Sequence, residues 1–269
     1  MAVELQFEKK PRALLNVIDS WIMIKRSSTH ILRNTDQLLG TFFQPIMFLV
    51  LFAAVFGGAI EKALPAGVDY LDYLMAGIIV QTVAFGSTTT AIAVCNDLQK
   101  GIVDRFRSLP MSNLAVLNGH VVSDLLRNTI STVVMLLTGL IIGFRSSASF
   151  TDWLMIAGIL LLFTFAFSWL AAIVGLVAKS VEAVQWLTFI IIFPLTFASS
   201  AFVPTDNMPA GLKIFAENQP ITQVINAVRS LILGTPIGNA GWLAVAWSLG
   251  LLAVSVPVAA WLFRRKSVA

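Results

Sequence analysis

Six stretches of this chain are apolar for about the thickness of a bilayer: residues 38–60, 70–94, 120–144, 153–178, 184–202 and 241–263. A helix needs about 20 such residues to cross the hydrocarbon, where every backbone polar group must find its partner inside the segment. Runs of this length do not suit a large water-soluble core, and at 57% hydrophobic and 12% charged the chain is far more apolar than a soluble domain. A membrane β-barrel would show short alternating segments, which are absent. The expected fold is an all-α polytopic membrane protein: one transmembrane domain over residues 1–269 with six transmembrane helices. Glu4, Glu8, Lys9, Lys10 and Arg12 interrupt any secretory h-region, so insertion is expected to use the internal spans.

Basic residues set the orientation, because cytoplasmic loops collect Lys and Arg. An even number of spans puts both ends on one side, and that side holds 14 of the 18 Lys and Arg. The far side keeps Lys62, Arg145, Lys213 and Arg229. Both termini are therefore expected in the cytoplasm. The net charge of +4 is mostly topological, and without an aromatic-interleaved basic face no nucleic-acid partner is expected. One cysteine, Cys95, and two distant histidines, His30 and His120, supply no metal-ligand cluster, so no metal is expected.

Two segments are amphipathic and too polar to span. Within residues 1–36, Leu14, Leu15, Ile18, Trp21 and Ile22 share one helical face behind Pro11. That suits a helix lying in the cytoplasmic interface, as a surface anchor or a partner contact. Residues 205–238 hold a second pattern. Pro220 opens it, Ile221, Val224, Ile225, Val228, Leu231 and Ile232 carry its period, and Gly234 ends it. Its polar face carries Thr222, Gln223, Asn226 and Arg229, so it is expected to dip back into the outer leaflet against the bundle.

Against this background the stretch CNDLQKGIVDRFRSLPMS, at the start of the loop 95–118, is out of place. Ile102, Val103 and Phe106 fall on one side of a short helix, Asp104, Arg105 and Arg107 on the other, and Leu109-Pro110 ends it. Such a helix is either a lever that docks into a soluble partner or a solvated loop obeying the positive-inside rule.

No G-x-x-x-x-G-K-[ST] occurs, nor even a Gly-Lys pair, so the chain is not expected to hydrolyse ATP itself. Neither a G-x-S-x-G elbow nor an H-E-x-x-H supplies a hydrolase site. An ion-coupled secondary carrier is the rival class, but carriers place ionisable groups near the midplane. Here Asp72 sits at one edge, and Asp124 and Arg127 lie near the inner edge of span three, spaced to pair on one helix face. Gly139 and Gly143 permit close helix approach, within the bundle or at a dimer seam. Phe189, Phe193 and Phe197 recur every fourth residue, as packing rings or as a stacking surface for a planar apolar substrate. Gln81 and Thr88 either hydrogen-bond between helices or line a pathway.

The block Asp97-Leu98-Gln99-Lys100-Gly101-Ile102-Val103-Asp104-Arg105-Phe106-Arg107-Ser108-Leu109-Pro110-Met111 resembles the cytoplasmic coupling helix of ABC-2 type exporters, closest to drug-resistance permeases of the daunorubicin type. A second block is similar to the family's outer signature: Ser199-Ser200-Ala201-Phe202-Val203-Pro204, Met208-Pro209, Asn218-Gln219-Pro220-Ile221-Thr222, Arg229-Ser230-Leu231 and Gly234. The resemblance covers nearly the whole chain. It implies ATPase-coupling roles for Asp97, Lys100, Gly101, Asp104, Arg105, Phe106, Arg107 and Leu109, and signature roles for Pro204, Pro209, Asn218, Pro220, Arg229 and Gly234. It also implies a permease in the cell membrane of a prokaryote, paired with itself or a similar permease. Two copies of a separate ATP-binding subunit would hold the ATP and Mg, and this chain would bind no cofactor. The implied cargo is an amphipathic drug-like or lipid-like molecule, with lipid-linked polysaccharide as the alternative.

Overall fold

A computed structural model describes residues 24, 35–61, 64, 67–101 and 115–266. Among them every regular element is helical: α1 Thr35–Ile60, α2 Tyr70–Gly86, α3 Thr88–Gln99, α4 Ala115–Ile142, α5 Phe150–Val177, α6 Val181–Phe197, α7 Ala210–Asn218, α8 Pro220–Ile232 and α9 Gly238–Lys266, with one 3-10 turn at Thr205–Asn207. The ends are set by short polar side chains. Asp69 accepts the Leu71 amide, Ser149 and Asp152 form a capping box on α5, and Ser180 accepts the Ala183 amide.

All six expected spans are helical, with three corrections. The second is not one helix but α2 followed by α3, broken at Ser87 and extended to Gln99. The third begins at Ala115 rather than His120. The fifth stops at Phe197, short of the end of its apolar run, because Ser199 takes over the helical hydrogen bonds. Its Oγ donates to Thr196 O at 2.5 Å and accepts the Ala201 amide at 3.1 Å. Among the described residues five helices, counting α2 and α3 as one span, are long and apolar enough to cross a membrane. The 17 residues of α6 reach the lower limit for a crossing, about 17.

The surface is inverted relative to a soluble protein. Ile141 is 86% exposed, and Trp186 and Leu154 are each 67% exposed, an apolar belt that water would not tolerate but lipid matches. Inside, α5 lies at the centre, packing on α9, α3, α4 and α8. Gly139 faces Met75 of α2, where a Cβ would lie 2.7 Å from the Met75 sulfur, so that glycine serves packing within the bundle.

Helix α8 packs on α9, α2 and α5. Its six periodic residues, Ile221, Val224, Ile225, Val228, Leu231 and Ile232, are all buried. On its polar face Thr222 and Arg229 are also buried, and Gln223 and Asn226 are half-buried. The polar groups buried on such a helix must be satisfied by protein.

Candidate functional site

Of the expected loop 95–118, residues 95–99 belong to α3 and residues 115–118 to α4. Asp104, Arg105, Phe106, Arg107 and Leu109 lie outside the described residues, as does the interfacial helix expected within residues 1–36 apart from residues 24, 35 and 36. Asp97, Lys100 and Gly101 are described. The Asp97 carboxylate turns toward α4, its Oδ2 2.9 Å from His120 Nε2. Gln99 Nε2 donates to Lys179 O at 2.9 Å, tying the end of α3 to the turn before α6. Lys100 is exposed at the C-cap. Gly101 sits at φ +62° with its amide on Leu98 O, a left-handed stop that suits glycine and turns the chain into the loop.

Phe189, Phe193 and Phe197 stack along α6, with centroids 4.9 and 4.2 Å apart. The row is longer than the sequence suggested. Trp186 extends it at one end, 6.5 Å from Phe189. At the other, Phe197 meets Phe202 at 4.9 Å, Phe202 meets Phe52 of α1 at 4.4 Å, and Phe52 meets Phe56 at 5.2 Å. Phe189 and Phe193 are 46% and 38% exposed, so the row offers ring faces to whatever lies against α1 and α6.

The outer signature gathers around Arg229. Its guanidinium lies 3.6 Å from the Tyr73 ring centroid. Nη2 donates to Ser200 O at 2.6 Å, Nε to Tyr73 O at 3.2 Å, and Nη1 to Ser200 Oγ and Asn226 Oδ1. Tyr70 and Tyr73 add hydroxyl bonds to Phe202 O and Ser200 O, both at 3.1 Å. No carboxylate among the described residues pairs with Arg229; carbonyl dipoles and a π face hold the charge. The other signature positions shape this backbone. Pro204 precedes the 3-10 turn, Pro209 precedes α7, Asn218 donates to Ile214 O, and Pro220 is the first residue of α8. Gly234, at φ +66°, closes a Schellman motif with Gly234 N on Leu231 O and Thr235 N on Ser230 O. Just beyond the turn the Lys213 ammonium, hydrogen-bonded to Asp206, is held above its usual range.

Asp124 and Arg127 form the expected i,i+3 ion pair, and both are buried. Ser168 Oγ of α5 donates to Asp124 Oδ2 at 2.5 Å, and Arg127 Nη2 donates to Gly86 O at 2.8 Å, at the break between α2 and α3. Gln81 is buried on α2, its Oε1 without a hydrogen-bond partner among the described residues, and Thr88 is half-buried beside the break.

The sequence profile of the ABC-2 type transporters matches residues 19–233. The chain belongs to that family. It is 32% identical over 231 residues to the daunorubicin resistance ABC transporter permease protein DrrB1 of Streptomyces coeruleorubidus, covering 86% of this chain and 81% of that protein. To the protein named 'Probable doxorubicin resistance ABC transporter permease protein DrrC' of Mycobacterium tuberculosis it is 26% identical over 92% of this chain and 89% of the relative. To Nodulation protein J of Rhizobium leguminosarum it is 23% identical over 82% of this chain and 83% of the relative.

As an ABC-2 permease the chain is a multi-pass transport component, and the ATPase of such a transporter is a separate subunit. Sequence reading missed three parts of this ABC-2 subunit. Phe48, Phe52 and Phe56 repeat every fourth residue, the spacing that singled out Phe189, Phe193 and Phe197, so the α1 half of the ring row was readable. Gly86-Ser87 is a pair that commonly marks a bend. The Asp97–His120 contact joins residues 23 apart, and only the packing of α3 on α4 brings them together.

Proposed function

We propose that the chain is the membrane-spanning permease of an ATP-driven exporter that moves an amphipathic, drug-like or lipid-like molecule out of the cytoplasm. It would work as a homodimer or beside a similar permease, with two copies of an ATP-binding subunit that hold the ATP and Mg. The observation that carries the cargo class is the ring row from Trp186 to Phe56, partly exposed and without a charged group among its rings. Such a surface suits planar or greasy molecules that gain from stacking. The relatives named for daunorubicin and doxorubicin resistance support the same class. In this reading the exposed faces of α1 and α6 meet the second permease, and cargo moves between them. The loop 95–118 docks on the ATP-binding subunit through Arg105, Arg107, Asp104 and Phe106, with Asp97 and Gly101 fixing the angle at which it leaves α3.

The purified chain alone should show no ATP hydrolysis above background. With its ATP-binding partner in proteoliposomes it should gain activity that amphipathic aromatic compounds stimulate. Sustained hydrolysis by the isolated chain would end this reading.

The excess of Lys and Arg at one end supports cytoplasmic termini. With Cys95 replaced by alanine, Val103→Cys should react with an impermeant thiol reagent only from the cytoplasm and Asn207→Cys only from outside. Labelling of both from one side would remove the six-span topology.

A further inference from the structure

The bundle holds separate apolar cores, and a polar layer divides them. One core fills the half away from the loop, with Ile78, Met135, Phe163, Ile192 and Val228 among its members. Two smaller ones fill the loop half, around Val94, Val121 and Ala172 and around Ala91 and Val184. Where each spanning helix from α2 to α9 passes from one to the other, it buries polar residues: Thr90, then Asp124, Arg127, Asn128 and Ser131, then Ser168, Thr188 and Ser255. Some of these hydroxyls bond back to their own helix, as Ser131 does to Arg127 O at 3.0 Å, and need nothing more. Others do not. Thr90 Oγ1, both side-chain polar atoms of Asn128, Arg127 Nε and Ser255 Oγ have no hydrogen-bond partner among the described residues. Buried polar atoms left so are normally bonded to water or to an alternative protein partner.

The same level contains the break in span two. The Thr90 amide reaches Ser87 O at 3.0 Å, a 3-10 bond in place of the α-helical one. Gly86 O is held instead by Thr89 Oγ1 at 2.9 Å and Arg127 Nη2 at 2.8 Å. Side-chain bonds of this kind can exchange where a helical ladder cannot, and a 3-10 stretch inside a helix commonly marks a hinge. Each half is locked within itself. Gly175 of α5 lies against α3, where a Cβ would sit 2.3 Å from Ala91 O, and Asp97–His120 binds α3 to α4. The far half is fixed by Arg229.

We propose that this polar layer is hydrated and is the plane at which the loop half of the bundle moves against the far half when the loop 95–118 is driven. The proposal rests on the reading of that loop as the contact with the ATP-binding subunit.

The test uses the assembled complex with Cys95 replaced by alanine and single cysteines at Thr90, Asn128, Ile79 and Ala172, plus Lys100→Cys as a reporter on the loop. Thiol reactivity needs the thiolate and therefore water, so Thr90→Cys and Asn128→Cys should react with a small water-soluble methanethiosulfonate about tenfold faster than the equally buried Ile79→Cys and Ala172→Cys. A non-hydrolysable ATP analogue should change the rate at the layer positions and at Lys100→Cys, and leave the two core positions as they were. Should Asn128→Cys fail to assemble, Ser255→Cys reads the same layer from α9. If the analogue shifts Lys100→Cys while Thr90→Cys reacts no faster than the core positions, the layer is dry and the proposal is wrong, with the coupling reading intact. If Lys100→Cys is also unmoved and the ATP-binding subunit does not co-purify with the chain that keeps Lys100, the coupling reading falls and the proposal with it.

Discussion

Asp124→Ala should destabilise the purified chain by about 3 kcal/mol, near the lower end of the range for removing one partner of a buried ion pair. The substitution leaves Arg127 charged and enclosed, with Gly86 O as its one remaining side-chain partner among the described residues. It also strips Ser168 Oγ of the oxygen it donates to. An exposed pair lost in the same way would cost about 0–1 kcal/mol. Water admitted to the polar layer would blunt the penalty without erasing it, since a few bound molecules do not reproduce bulk hydration. A double change, Asp124→Leu with Arg127→Met, should recover most of the loss, because replacing both members of a buried pair by apolar groups of similar volume is often neutral. The measurement is the thermal midpoint of the detergent-purified chain. About 3 kcal/mol corresponds to a fall on the order of 10 °C for a domain of this size. A single variant as stable as the parent would mean that bulk water already solvates the pair.

The chain shows its spans plainly because the solvent dictates them: hydrocarbon requires a fixed length of apolar residues, and six such runs became α1, the pair α2 and α3, α4, α5, α6 and α9. The period of α8 was equally readable, down to each of its six buried apolar positions. What its polar face meets was not readable, for a physical reason. A pattern distinguishes polar from apolar positions, but it does not distinguish a polar group that meets water from one that meets carbonyls. Arg229 meets Tyr73 O, Ser200 O and a tyrosine ring, partners fixed by the register of α8 against α2. The break at Ser87 and the early end of α6 depend on single serine side chains competing with the backbone, a local choice that hydropathy averages away. The pairing of Asp124 with Arg127 was readable because both lie on one helix. Their bonds to Ser168 and Gly86 were not, because those depend on which helices become neighbours.

Arg105→Glu should lower assembly with the ATP-binding subunit, or its coupling to export, by more than tenfold. Arg105 lies outside the described residues, so the expectation rests on its place in the loop 95–118 and on the family resemblance of that stretch. Under the proposed coupling role Asp104, Arg105 and Arg107 form the polar side of a short helix, and the partner must present complementary groups in a cleft. Reversal would put like charges in contact and leave a partly desolvated group unpaired, at a cost of about 2–5 kcal/mol for a buried pair. About 1.4 kcal/mol is tenfold in an equilibrium constant, so even the lower figure exceeds the stated loss. Insertion should survive, because the remaining bases at that end still outnumber those opposite. A solvated loop gives another result, since a screened surface charge is worth about 0–1 kcal/mol and the variant would then behave almost like the parent. The experiment is co-purification and substrate-stimulated ATP hydrolysis for Arg105→Glu, with Lys62→Glu, a basic residue expected on the far side from the sequence, as the control. If Arg105→Glu assembles and hydrolyses ATP as well as Lys62→Glu and the parent do, Arg105 makes no coupling contact, and the basic residues of the loop serve only to set the orientation of the chain.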